Sequence, residues 1–120
     1  MINSEISFSI ITVTLDAKKE LLKTINSIQK QDYNFFTHII KDGLSKDQTF
    51  KLDFSKYKNT EFHQFKDQGL YDAMNQAFEL AQNEYVIFLN AGDIFFSKNS
   101  LKFLAENIKN NPNFNAYSGG

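Results

Sequence analysis

The sequence predicts a three-layer α/β fold of the Rossmann type, with helices on both faces of a mainly parallel sheet. Runs of β-branched and apolar residues alternate along the chain with stretches whose apolar residues recur at helical spacing. The strand-like runs are almost continuously apolar, which is typical of parallel strands that helices cover on both faces. Strands that alternate with helices in this way favour a single parallel sheet with right-handed crossovers.

The first βαβ unit is predicted from the opening third of the chain. Residues 8–15 (FSIITVTL) combine β-branched and apolar types and predict a buried strand. Asp16 then stands at the N-cap position of a helix over residues 18–31, whose leucines and isoleucines share one face. Residues 36–41 (FTHIIK) predict the second strand of the unit.

The later elements follow at short intervals, and the most continuous apolar run, YVIFL, is expected to be a central, fully buried strand. They are a short helix capped by Asp47 and running to Phe54, a third strand over 61–65, a helix over 70–81, the YVIFL strand over 85–89, a last helix marked by Leu101, Leu104 and Ile108, and the start of a fifth strand over 114–117.

Composition limits the class of protein. Residues 1–120 suffice for one domain, and 13 basic against 14 acidic residues leave a net charge of -1. Every basic residue is Lys and no basic stripe stands out, so nucleic acid is not an expected partner. Cysteine is absent, which excludes disulfides and thiolate metal sites. The chain start lacks the pattern of a secretory signal and no apolar run could span a membrane, so we expect a cytoplasmic protein.

Aspartates follow the predicted strands at the edge where open parallel sheets bind ligands. Asp16 follows the first strand, Asp42 the second, Asp67 the third and Asp93 the fourth. Acids gathered without basic partners repel one another unless a cation lies among them. We therefore expect Asp42, Asp67 and Asp93 to converge on a divalent metal and a diphosphate.

Structural explanations for single residues stay open beside this expectation. In these explanations Asp16 caps a helix and Asp42 belongs to an Asp-Gly turn. Asp72 is then a carboxylate that the N-terminus of a helix favours. His38 and His63, on a strand and on an edge strand, are expected to be packing or surface residues rather than ligands.

Four stretches together resemble the family-2 glycosyltransferases with the GT-A fold, of the type that builds bacterial surface polysaccharides. They are FSIITVTLD, IIKDGLSKDQT, KDQGLYDAMNQAFELA and YVIFLNAGD, and they occur in the family's order over nearly the whole chain. The resemblance implies a nucleotide-sugar donor, expected to be UDP-linked, and a glycan or lipid-linked acceptor in polysaccharide biosynthesis.

The resemblance also implies roles for single residues. Thr14 and Leu15 match the positions that pack the nucleoside, Asp42 matches the acid that accepts a hydrogen bond from uracil, and Asp67 matches a second position near the nucleoside. Residues 71–75, with Tyr71, Asp72 and Asn75, match the helix start that faces the donor sugar and diphosphate. Asn90 lies in the same vicinity, and Asp93 matches the last acid of the motif that binds Mn²⁺ or Mg²⁺.

Three positions depart from the family pattern. Asn90 and Gly92 stand where further acids are usual, so one carboxylate would hold the metal with help from phosphate and water oxygens. Asp16 stands where Asn is common. Lys41 stands where a hydrophobic residue is usual, and we therefore expect its strand to be more exposed.

Inverting transfer is the reaction that the resemblance implies. The general base belongs to the family's second half and would follow residue 120, so we expect this chain alone to be inactive. The chain stops as a fifth strand begins, which we interpret as a truncation that leaves an edge open to self-association. The acceptor type leaves peripheral association with the cytoplasmic face of a membrane open. A non-catalytic nucleotide-binding relic, and more distantly a flavodoxin- or receiver-like signalling domain, are the alternatives.

Overall fold

A computed structural model describes residues 5–111 and 118–119 of the chain. Its elements are β1 (Phe8–Thr14), α1 (Lys18–Gln29), β2 (Phe36–Asp42), β3 (Thr60–Gln64), α2 (Leu70–Phe78), β4 (Tyr85–Phe88), α3 (Ser100–Asn110) and β5 (Ser118–Gly119). The fifth strand predicted over 114–117 lies outside the described residues.

All described strands pair in parallel, in the order β3-β2-β1-β4-β5. The prediction of a mainly parallel α/β sheet is therefore confirmed. The strand order reverses between β1 and β4, which creates a ligand crevice at the carboxyl ends of those strands. A flavodoxin-like sheet would place β1 between β2 and β3, so the signalling-domain alternative is wrong on topology.

Helices cover both faces of the sheet because successive side chains of β1 point to opposite sides. Ile10 packs with Ile28 of α1 and Leu101 of α3 on one face. Ile11 packs with Ala77 of α2 on the other, where small helical residues allow close approach to the strand. Burying each such side chain as large as Ile contributes about 1.5–3 kcal/mol. The three-layer prediction is thereby confirmed.

The central, fully buried strand is β1, and the expectation that β4 fills this role is wrong. All seven residues of β1 are buried, whereas in β4 only Ile87 is buried and Tyr85, Val86 and Phe88 are half-buried. The physical reason is the strand order: β1 lies between β2 and β4, whereas among the described residues β4 has β1 on one side and a two-residue pairing with β5 on the other.

Asp16 does not cap α1, contrary to the expectation. Its backbone is left-handed (φ 50°), which directs its carboxylate to the backbone amide of Lys46 at 2.6 Å. Ala17 occupies the N-cap position without a side-chain hydrogen bond, and the Lys18 amide is satisfied by Asp47 Oδ2 at 2.9 Å. The cap of α1 thus comes from a residue remote in sequence.

Asp47 also accepts the Thr49 amide at 3.2 Å, at the start of the segment predicted as one short helix. The structure resolves that segment into two single-turn 3-10 helices, Thr49–Lys51 and Phe54–Lys56. The Leu52 residue between them is extended (φ -65°, ψ 142°), which interrupts the helical hydrogen bonding.

Helix α1 ends two residues before the predicted bound because Gln31 has another function. Its side-chain amide donates to the Ser97 carbonyl at 2.6 Å and accepts from the Leu101 amide at 3.0 Å. Gln31 thereby ties the end of α1 to the start of α3. Of the helices in residues 5–111, none has the length and apolar character needed to cross a bilayer.

Lys41 is fully buried, so the expectation that its strand would be more exposed is wrong. Six of the seven β2 residues are buried, and Thr37 alone is half-buried. The Lys41 ammonium reaches Asp67, 26 residues later in the chain, and lies 4.8 Å from the centroid of the Phe65 ring. An ion pair and an aromatic face together offset part of the cost of burying the charge.

Candidate functional site

A pocket of about 160 Å³ opens at the carboxyl end of β1. It lies beside the reversal of strand order, where open parallel sheets bind ligands. Its wall contains three of the four residues predicted to bind the nucleotide. The lining residues are Val13, Thr14, Leu15, Asp67, Gly69, Leu70 and Ala73.

Thr14 and Leu15 form the part of the wall that β1 supplies. Thr14 is buried, and its hydroxyl has no hydrogen-bond partner within the described residues. Its carbonyl accepts the Gly43 amide at 3.1 Å, which joins the ends of β1 and β2. Leu15 is 57% exposed although it is large and apolar. An unpartnered hydroxyl beside an exposed apolar side chain suits a ligand with both an apolar ring and polar groups.

Asp67 supplies the carboxylate of the pocket. Its Oδ2 accepts from the Lys41 ammonium, and its Oδ1 accepts from the Gly69 amide at 3.0 Å. Burial pushes the pKa of Asp67 upward, but the hydrogen bonds from Lys41 and Gly69 and the charge of Lys41 outweigh it, so the pKa lies below its ordinary value. The carboxylate is therefore an ionised hydrogen-bond acceptor at neutral pH.

Gly43 allows this carboxylate to lie against the turn after β2. A Cβ atom on Gly43 would stand 2.7 Å from Asp67 Oδ2 and 3.6 Å from the Leu15 side chain. Any residue larger than glycine would therefore have to displace Asp67 from its place in the pocket wall. The Asp-Gly turn is thus more than a turn, because its glycine makes room for the acid.

Asp42 is held inside the protein rather than in the pocket wall. It is fully buried, and Oδ2 accepts from the Ser45 amide at 2.8 Å and the Gln64 side chain at 2.9 Å. Its Oδ1 accepts from the Ser45 hydroxyl. Ser45 in turn accepts the Asp16 amide at 2.7 Å, so Asp42 organises the loops that follow β1 and β2.

Asp93 lies in a tight loop after β4. Its Oδ2 accepts the Asn90 amide at 3.0 Å, and its own amide donates to the Asn90 carbonyl at 2.8 Å. Gly92, with φ 103°, provides the left-handed conformation that the loop needs. Asn90 Oδ1 is buried and lacks a hydrogen-bond partner within the described residues.

Thr24 of α1 anchors this loop from outside. Its buried hydroxyl donates to the Asp93 carbonyl at 2.7 Å and accepts the Gly92 amide at 2.9 Å. Sequence reasoning missed Thr24, because a threonine is common in helices without a special role. The available signal was its position, since Thr24 lies among the apolar residues of the buried face of α1.

The three acids do not form the cluster that we expected. Asp42 binds Ser45 and Gln64, Asp93 binds within its own loop, and Asp67 has a basic partner in Lys41. Among the residues that the structure describes, no three Asp, Glu or His side chains are grouped so as to hold a metal ion. The premise of acids without basic partners fails for Asp67, because the Lys41 side chain pairs with it across 26 residues of sequence.

The predicted donor-facing residues of α2 border a second, larger hollow of about 330 Å³. Tyr71 and Asn75 line it with three apolar residues, and the Tyr71 side chain is largely exposed. Asp72 is not among its lining residues, because its Oδ2 accepts the Gln68 amide at 2.9 Å at the start of the helix. The helix-terminus explanation for Asp72 is therefore the one that its contacts support.

The two histidines lie away from both hollows. His38 is fully buried and its Nε2 is 2.8 Å from the Thr12 hydroxyl, while burial lowers its pKa to about 3. His63 lies on β3, which is an edge strand among the described strands, and its Nε2 is 3.0 Å from Glu61 Oε1. Both positions agree with the packing and surface roles expected of them.

Comparison with known proteins connects this geometry to a family. The model of glycosyl transferase family 2 matches residues 9–118. PGL/p-HBAD biosynthesis glycosyltransferases of Mycobacterium bovis and Mycobacterium tuberculosis are 34% identical over 104 residues, covering 82% of this chain and 40% of each relative. The chain thus spans less than half the length of these relatives.

Solved structures share the fold. S. aureus TarS 1–349 in complex with UDP-GlcNAc superposes with a TM-score of 0.80 and 28% identity, covering 88% of this chain and 32% of that one. The mannosyltransferase PcManGT from Pyrobaculum calidifontis, in complex with GDP-Man and Mn²⁺, has a TM-score of 0.71 at 18% identity, covering 82% and 31%. The parallel sheet, its layers and the extent of the family match lead to one conclusion: this chain belongs to glycosyl transferase family 2, with the GT-A fold.

Proposed function

We propose that this chain is the donor-binding part of a glycosyltransferase that takes its sugar from a UDP-linked donor. The observation that carries the proposal is the pocket at the carboxyl end of β1, whose wall contains Thr14, Leu15 and Asp67. The complex of TarS with UDP-GlcNAc favours a uridine nucleotide, since TarS is 28% identical to this chain. Asp42 is proposed to act through the loops that it organises. Tyr71 and Asn75 line the hollow proposed for the donor sugar, and Asp72 is proposed to act near it, at the start of α2.

A divalent metal, Mn²⁺ or Mg²⁺, belongs to the proposal, and the loop after β4 fits it. Asp93 offers a carboxylate and Asn90 a buried amide oxygen without a partner within the described residues, and both are hard oxygen ligands. The diphosphate and water would complete the shell. When bound, the cation would neutralise the charge that develops on the leaving diphosphate. Thr24 and Gly92 hold the loop in the required conformation.

The transfer itself is proposed to invert the anomeric centre. The pocket residues hold the donor, and a general base must remove the proton of the acceptor hydroxyl. We place that base in sequence beyond residue 120, since this chain covers 40% of its curated relatives, and we expect the 120 residues alone to be inactive. Transferase activity of the purified chain would contradict this part of the proposal.

The acceptor is proposed to be a glycan or a lipid-linked saccharide in polysaccharide biosynthesis, handled in the cytoplasm or at the cytoplasmic face of the membrane. Self-association is part of the same proposal. Exposed large apolar side chains, among them Phe96 and Phe103, support it. Light scattering on the purified chain tests it, and a monodisperse monomer would count against it.

A thermal-shift titration with UDP, with and without Mn²⁺, tests donor binding. A ligand that binds only the folded state raises its stability, by about 2.7 kcal/mol at a hundredfold excess over Kd. We expect a shift that needs both UDP and Mn²⁺ and that disappears in Asp93→Ala. Asp32→Ala, which removes an exposed acid from the loop before β2, is the matched control.

The non-catalytic nucleotide-binding relic remains the second candidate, and the lone carboxylate of the Asn90–Asp93 loop favours it. It predicts a UDP shift of equal size with and without Mn²⁺ and in Asp93→Ala. The absence of any shift with UDP would contradict both candidates.

A further inference from the structure

Lys41 is a buried cation directly beneath the pocket wall. It is fully buried on β2, and Asp67 is its one recorded acidic partner within residues 5–111. Its ammonium also lies 4.8 Å from the centroid of the Phe65 ring. Neither the Lys41 side chain nor the Phe65 ring lines the pocket, whereas Asp67 does. The contact through which Lys41 reaches the pocket wall is therefore Asp67.

Packing alone does not call for a charge at this position. Taking an ammonium out of water costs several kcal/mol, and replacing a buried ion pair by apolar residues of similar volume is often neutral or stabilising. A methionine at position 41 would fill a similar volume beside Phe65. What the charge does supply is control over a carboxylate at the pocket wall.

That carboxylate is held at both of its oxygens. Its Oδ2 accepts from Lys41, its Oδ1 accepts from the Gly69 amide at 3.0 Å, and the absence of a Cβ at Gly43 leaves room for Oδ2. The carboxylate is thus tied to the protein at the pocket wall, and each oxygen keeps a further lone pair that can accept from a ligand. The low pKa of Asp67 agrees with this arrangement.

We infer that Lys41 is a positioning residue for nucleoside recognition, which holds the Asp67 carboxylate at the pocket wall as a hydrogen-bond acceptor. The inference rests on the proposed function and deepens it. A carboxylate that only accepts favours a base that presents an N–H group, as uracil does at its imide nitrogen. It disfavours cytosine, whose corresponding ring nitrogen carries a lone pair.

A double-mutant cycle on the 120-residue chain tests the inference. The variants are Lys41→Met, Asp67→Asn and the double substitution, and Kd for UDP and CDP is measured by calorimetry in the presence of Mn²⁺. We expect Lys41→Met to weaken UDP binding about tenfold, because an Asp67 carboxylate released from Lys41 no longer directs its charge-assisted hydrogen bond to the base. The same substitution should abolish most of the preference for UDP over CDP. In the Asp67→Asn background the same change should alter neither quantity.

Lys66→Met is the matched control, because it removes an exposed lysine next to Asp67 in sequence. It should leave both dissociation constants unchanged. Lys41→Met leaves the Asp67 carboxylate without its ionic partner, so circular dichroism and thermal unfolding accompany each measurement. If that variant does not fold, Lys41→Gln takes its place in the same cycle.

The outcomes separate the inference from the function on which it rests. If wild type binds no nucleotide, the proposed function fails and the inference with it. If wild type binds UDP but the effect of Lys41→Met persists in the Asp67→Asn background, or leaves the UDP-to-CDP ratio unchanged, the inference alone is overturned. The inference is supported if Lys41→Met removes the UDP-to-CDP preference when Asp67 is present and has no effect in the Asp67→Asn background.

Discussion

The hydroxyl of Thr24 donates to the carbonyl of Asp93 at 2.7 Å and accepts the amide of Gly92 at 2.9 Å. One side chain of α1 therefore satisfies a donor and an acceptor of the loop after β4. Thr24 is itself fully buried, so its hydroxyl relies on these partners within the protein. The conformation of the proposed metal loop after β4 therefore depends on a side chain of α1.

Thr24→Val should lower the free energy of unfolding by about 1 kcal/mol, because it keeps the shape but leaves the Gly92 amide and the Asp93 carbonyl without their partner in the protein. It should also remove the Mn²⁺-dependent part of the UDP thermal shift. Thr24→Ser should restore both. Ser27→Ala is the control, since Ser27 accepts the Phe95 amide at 2.8 Å one turn later on α1 without touching the loop. Equal loss of metal dependence in both variants would refute the positioning role.

His38 should make stability fall with falling pH. Burial lowers its pKa to about 3 from 6.5, so between these values the unfolded chain binds a proton that the folded chain does not. The free energy of unfolding therefore rises with pH across this window, by about 1.4 kcal/mol per pH unit where the difference is complete. Urea unfolding between pH 4 and 7 measures this slope.

The slope should shrink in His38→Gln and persist in His63→Gln, which changes a partly exposed histidine on β3. Asp67 also has a lowered pKa, and its contribution is lost as pH falls through the ordinary carboxyl value of 3.8 and below. The two windows overlap at the acid end, so the slope above about pH 5 is the part assigned to His38. An unchanged slope in His38→Gln would show that the buried imidazole is not the titrating group.

Gly43→Ala should displace the Asp67 carboxylate, because the new Cβ would stand 2.7 Å from Oδ2. Overpacking of this kind costs about 1–3 kcal/mol, and UDP binding should weaken as well. In an Asp67→Ala background the same substitution should cost little. Gly69→Ala is the contrast: with φ 122° and no atom within 4 Å of its Cβ, it costs backbone strain whichever residue stands at 67. Thermal unfolding of the five variants (each glycine substitution with and without Asp67→Ala, and Asp67→Ala alone) shows whether the cost at Gly43 depends on Asp67.

Asp42→Asn should destabilise the chain by about 1–3 kcal/mol, because an amide nitrogen cannot accept the hydrogen bonds that the second carboxylate oxygen accepts. Ser45 and Gln64 supply those bonds, and Asp42 is fully buried. Denaturant unfolding measures the loss. Asp53→Asn, at an exposed site that also accepts a serine amide, is the control. A stable Asp42→Asn with weakened UDP binding would instead favour direct contact with the base.

The layered fold could be predicted because it depends on patterns that local sequence carries. The apolar run of β1 and the small residues Ala73 and Ala77 of α2 each reveal an element and its buried face. Which strand lies in the middle was not predictable from apolar content, since β1 and β4 are both apolar runs. The two strands differ in burial because β1 lies in the middle of the strand order and β4 does not. The pairing of Ile11 with Phe88 shows that they are neighbours, but no local sequence pattern reveals it.

The site was predictable in part. Thr14, Leu15 and Asp67 lie together in one wall because the carboxyl ends of parallel strands meet at one edge. What escaped prediction are contacts between residues distant in sequence. Lys41 finds Asp67 26 residues away, and Asp47 caps a helix that starts 29 residues before it. No local pattern reveals such partners, since each looks like an ordinary charged residue.

The reciprocal contacts between the loops after β1 and β2 have a consequence for local opening. Asp16 accepts the Lys46 amide, and Asp47 accepts the Lys18 amide, so each loop protects an amide of the other. Neither of these two protons can exchange with solvent unless its cross-loop hydrogen bond breaks. We therefore expect the amides of Lys18 and Lys46 to exchange together when these loops separate, and the proposed nucleotide to slow both.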